Sequence, residues 1–74
     1  SLIKSIRSIT SSEEFCLSSC NDEQAVNDLM AACFTEPLDC AEMVKISFVV
    51  GAGKGQRSKY NGSLAKWVRN ALNA

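Results

Sequence analysis

The fold class this sequence predicts is α+β, a single small domain over residues 1–74, and three observations predict it. Residues 22–34 and 62–73 space their apolar side chains at helical intervals, and residues 44–50 alternate them as a strand does. Apolar content of 46% is enough to close one core in a chain this short. The expected architecture is two or three short helices, one strand at 44–50 and a C-terminal amphipathic helix over it. A small all-α bundle is the alternative, reached if residues 40–50 are helical up to Gly51.

Taken in order, residues 2–9 place Leu2, Ile3, Ile6 and Ile9 at near-helical spacing, but their β-branched and Ser content suits a strand equally. Ser11-Ser-Glu-Glu14 has the form of a capping box, predicting a short helix to about Ser19 with Phe15, Cys16 and Cys20 inward. Asn21-Asp-Glu-Gln24 repeats the signal ahead of Val26, Leu29, Met30 and Cys33, one apolar face at i, i+3, i+4 and i+7. This helix runs to about Phe34, and Pro37 stops it. Asp39 to Glu42 has the same box spacing and predicts a single turn.

Val44, Ile46, Phe48 and Val50 then alternate with Lys45, Ser47 and Val49, a half-buried strand. A lone strand leaves its backbone donors and acceptors unpaired, so a partner is required: residues 2–9 or a second copy of the chain. Residues 51–59 form a basic, glycine-bearing loop. The last helix, from Gly62 or Ser63 to Asn73, puts Tyr60, Leu64, Trp67, Val68 and Leu72 on one face. On the other face lie Lys66, Arg69, Asn70 and Asn73.

Net charge is zero, yet the charges are sorted. All eight acids lie from Glu13 to Glu42 with no base among them, and no acid follows Glu42. Either the acidic limb folds against the basic limb, or Lys54, Arg57, Lys59, Lys66 and Arg69 form a polyanion-binding face. No apolar run approaches the roughly 20 residues that span a bilayer, so no membrane is expected. Residues 1–9 do not read as a signal peptide. The chain opens on Ser rather than Met, as an excised piece of a longer protein would.

Cys16, Cys20, Cys33 and Cys40 are spaced by 3, 12 and 6 residues with no His in the chain, which does not suit zinc. Three buried, reduced thiols among the four are expected, with Cys16, Cys20 and Cys33 on apolar helical faces. A disulfide-stabilised secreted protein is the competing reading.

Val49-Val-Gly-Ala-Gly-Lys-Gly55 invites a nucleotide reading and fails it. A phosphate loop would need Gly and Ser/Thr where Phe48 and Gly55 stand, and a dinucleotide loop would need Gly at Gln56. No βαβ unit is expected around it. Without His, neither Cys nor Ser has its usual general base, and the acids are explained by capping and solubility. An enzyme is not expected, nor a cofactor, a metal or a small-molecule substrate.

The run Val44-Lys-Ile-Ser-Phe-Val-Val-Gly-Ala-Gly-Lys54, with Arg57, Lys59-Tyr60 and Ser63-Leu-Ala-Lys-Trp67, resembles part of an uncharacterised eukaryotic domain family, over about residues 44–73. The resemblance implies a strand, basic turn and helix unit in an intracellular setting (cytoplasm or nucleus). It also implies a truncated or alternative form, since that family continues into an acidic, glycine-containing segment and further strands. It brings no activity and no site residues. The function expected is a non-catalytic protein-interaction or regulatory module, through a protein partner or self-association. Weak, non-sequence-specific nucleic-acid binding by the 54–69 region is the alternative.

Overall fold

The computed structural model describes residues 1–40, 42–51 and 59–73. Five elements follow one another: α1 (Leu2–Arg7), β1 (Glu13–Cys16), α2 (Glu23–Phe34), β2 (Ile46–Val49) and α3 (Leu64–Leu72). The domain is α+β, and the 2–9 segment forms the helix α1 over Leu2–Arg7, with Ser8 as its C-cap. Ser1 caps it by accepting from the Lys4 amide at 3.3 Å, and Ile6 is its buried residue.

The expected helix at 11–19 is instead the strand β1, and its burial shows why. Phe15 and Leu17 are buried while Cys16 between them is exposed, a period of two that a helix cannot produce. The apparent capping box at Ser11–Glu14 is overridden by tertiary pairing. Glu13 N–H donates to the Lys45 carbonyl at 3.1 Å and Leu17 N–H to the Val49 carbonyl at 3.0 Å. Ser12 Oγ accepts from the Lys45 amide at 2.8 Å, tying one strand's entry to the other's.

α2 forms as its sequence dictates. Asp22 is the N-cap, accepting from the Ala25 amide at 2.8 Å, and Val26, Leu29, Met30 and Cys33 are its buried face. The single turn expected at Asp39–Glu42 does not form among the described residues there: Asp39, Cys40 and Glu42 are non-helical.

β2 pairs with β1 in parallel, in the register Glu13 with Ile46, Glu14 with Ser47, Phe15 with Phe48 and Cys16 with Val49. The strand's partner is therefore β1, not residues 2–9. Parallel neighbours need a crossover, which α2 supplies, so a β–α–β unit is present after all. The connection from β1 to α2 contains no glycine, and the glycine-rich run follows β2 instead, so the unit brings no phosphate loop with it.

The core comprises Ile6 and Ile9, Phe15 and Leu17, Cys20, the inner face of α2, and Leu64 and Val68 of α3. Half-buried Val44, Ile46, Phe48 and Val50 pack onto it from β2 and its flanks. Phe48 stands between two rings, 6.5 Å from Phe15 and 6.3 Å from Phe34. α3 rests chiefly on α2 rather than across the strand. Tyr60 and Trp67 are half-buried against the core, as their place on the apolar stripe implies.

Candidate functional site

The register of the two strands decides which backbone groups are spent. Glu13 of β1 and Leu17, just past its end, reach Lys45 and Val49, so odd-numbered residues of both strands face each other. The N–H and C=O groups of Ile46, Phe48 and Val50 therefore point away from β1. The sheet has two strands, so among the described residues this side of β2 is an open edge. Natural edges are blunted with charge, proline or bulges. The β1 edge carries Glu13 and Glu14, whereas Ile46 to Gly51 holds no charge, no proline and five residues that are apolar or small before the glycine. Met43, fully exposed, lies just ahead of it in the chain.

The sheet's other face carries Glu14, Cys16, Ser47 and Val49, and here a second constellation forms. Cys16 Sγ lies 2.9 Å from the Tyr60 hydroxyl and 3.3 Å from Ser18 Oγ. Lys59 holds its Nζ 5.9 Å from the Tyr60 ring centroid. Hydrogen bonds from the Ser18 side chain, the Tyr60 hydroxyl and the Ser18 backbone lower the Cys16 thiol pKa to about 7, with Lys59's charge adding a smaller pull. Burial, with Asp22 adding to it, raises Cys20, and burial raises Cys33 against the opposing charge of Arg7. Cys16 was expected inside on a helical face. The strand's alternation turns it outward, leaving Cys20 and Cys33 buried and Cys40 half-buried.

A thiolate is the nucleophile and a thiol is not, so these shifts sort the cysteines by reactivity. Alkylation of Cys16 in the folded protein is expected to rise with pH through a midpoint near 7. Cys20 and Cys33 should stay unlabelled there. Tyr60→Phe removes one donor to the thiolate, so its profile moves to higher pH. Mass spectrometry of iodoacetamide-labelled peptides across a pH series reads all three, and a wild-type midpoint above 8.5 would rule the arrangement out.

Of the five basic residues singled out from the sequence, Lys54 and Arg57 lie outside the described residues. Lys59, Lys66 and Arg69 are exposed, and the latter two share the solvent side of α3. Among the described residues no group of three or more His, Cys, Asp or Glu side chains is placed to hold a metal. None of the described helices is long and apolar enough to cross a membrane. Comparison of the chain with protein-family models, with curated proteins and with solved structures returns no match.

Proposed function

We propose that this chain is a non-catalytic protein-interaction module whose docking element is the open edge of β2. One observation carries the reading: an uncharged, apolar strand edge with the backbone groups of Ile46, Phe48 and Val50 turned outward. Strand addition supplies the hydrogen bonds such an edge lacks, and side chains on alternate residues give it selectivity. The half-buried Ile46, Phe48 and Val50 would complete their burial in the act. A Cys16 thiol kept free would belong with an intracellular setting, where thiols stay reduced.

Hydrogen exchange tests this residue by residue. At concentrations where the chain is monomeric, the amides of Ser47 and Val49, bonded toward β1, should exchange slowly, and those of Phe48 and Val50 quickly. Engagement of a partner should slow the second pair without changing the first. Protection of Phe48 and Val50 in the monomer would mean that the edge is already covered within the chain, and the reading fails. Weak, salt-sensitive binding of RNA through Lys59, Lys66 and Arg69 would leave all four amides unaltered, and so is told apart in the same experiment.

A further inference from the structure

The geometry points to a second copy of this chain as the partner of the β2 edge, the two strands running antiparallel about a two-fold axis through Phe48. This rests on the reading of that edge as the docking element. Four observations select the occupant. The outward residues Ile46, Phe48 and Val50 are spaced symmetrically about Phe48, so a copy turned by the two-fold meets each N–H with a C=O and each C=O with an N–H.

The polarity of each face matches as well. On the core side, Ile46 comes opposite Val50 of the second copy and Phe48 opposite Phe48, apolar throughout. On the other side, Ser47 comes opposite Val49 in both directions. Charge is the third selector. Lys45 is the nearest charge in sequence to the seam, and the two-fold sets it opposite Gly51 of the other copy, away from its own equivalent. Pairing β2 onto the β1 edge of another copy would be head-to-tail rather than two-fold, and that edge carries Glu13 and Glu14.

Sheet size is the fourth. Two-stranded sheets are marginal and three or more strands are usual, so joining two such sheets gives a continuous four-stranded one. The pairing is isologous, the commonest arrangement for soluble oligomers.

Sedimentation of the full chain over a wide concentration range should show the 8.0 kDa species giving way to one of twice that mass. Changing Ser47→Lys together with Val49→Lys sets lysine opposite lysine across the seam twice, on the face turned from the core. Dimer affinity should fall at least about tenfold. Ser47→Glu with Val49→Lys sets opposite charges there and should restore it. In a mixture of isotope-labelled and unlabelled chains, the Hα of Ser47 should show a cross-peak to the Hα of Val49 of the other copy.

A dimer that the double lysine variant leaves intact, or that lacks this cross-peak, overturns the proposal. A chain that stays monomeric at every concentration with fast-exchanging Phe48 and Val50 amides also overturns it, leaving the edge for an unlike protein strand. Protection of those amides in the monomer overturns both readings together.

Discussion

Replacing Leu17 by Ala should cost about 3 kcal/mol and leave much of the protein unfolded near body temperature. Leu17 has no exposed surface and directly follows β1, where its amide bonds to Val49 and its carbonyl accepts from Cys20 at 3.0 Å. The substitution keeps those backbone bonds and removes only side-chain volume, so the loss is that of apolar transfer and of the cavity left behind. A leucine-to-alanine change at such sites costs roughly 2–5 kcal/mol. Total stability of a domain this size is of order 4–11 kcal/mol at ~0.05–0.15 kcal/mol per residue, and small cores sit toward the low end. The loss is therefore a large share of what holds the fold. Urea unfolding followed through the single Trp67 and through circular dichroism measures it. Leu17→Met, which nearly preserves volume, should cost less than about 1.5 kcal/mol. Met43→Ala, at a fully exposed position, should fall within about 0.5 kcal/mol of wild type. Equal losses at Leu17 and Met43 would show that the core is not placed as described.

Leu17 also shows where the sequence was legible and where it was not. α2 announces itself three times over, through Asp22 as cap, the spacing of Val26, Leu29, Met30 and Cys33, and Pro37 as stop, and all of these are local signals. β2 is equally plain, because every second residue from Val44 to Val50 is apolar. β1 is four residues long, too short for periodicity to outvote a capping box. Ser11 and Glu14 stand at the right interval, and only the distant carbonyls of Lys45 and Val49 tell the backbone to extend. Mistaking the strand for a helix then moved Cys16 to the wrong side. A helix would group it with Phe15 and Cys20, whereas a strand places it on the outer face beside Tyr60, 44 residues away. The parallel unit was missed for the same reason. The open edge of β2 was foreseeable from the strand alone, but its polarity and register required knowing that β1 exists.

Removing the Arg7 side chain should lower stability by about 2 kcal/mol, an effect that no local reading of the sequence anticipates. Helix α2 has no basic residue in its last turn, and its C-terminal carbonyls need partners. Arg7, the last residue of α1, supplies them from across the fold. Its guanidinium donates to the Cys33 carbonyl at 2.9 Å, to that of Glu36 at 2.7 Å and to that of Pro37 at 3.3 Å. One cation thus caps the negative end of the α2 dipole and pins the segment leading to Pro37. Charge-assisted bonds are worth roughly 1.5–3 kcal/mol when desolvated. Two of these three are exposed, so the sum is discounted toward a single good bond. Arg7→Ala should accordingly lower the melting temperature by about 8–16 °C at 4–8 °C per kcal/mol for a domain of this length. Arg7→Lys keeps the charge but loses the planar fork, and should recover no more than about half of the loss. Salt separates capping from mere packing, because the gap between wild type and Arg7→Met should narrow as ionic strength rises. Loss of the positive charge also lets Cys33 move further upward, since Arg7 is what opposes the effect of burial there. Melting curves of the three variants at low and high salt decide it, and an Arg7→Met protein as stable as wild type would remove Arg7 from the account of how α1 and α2 are joined.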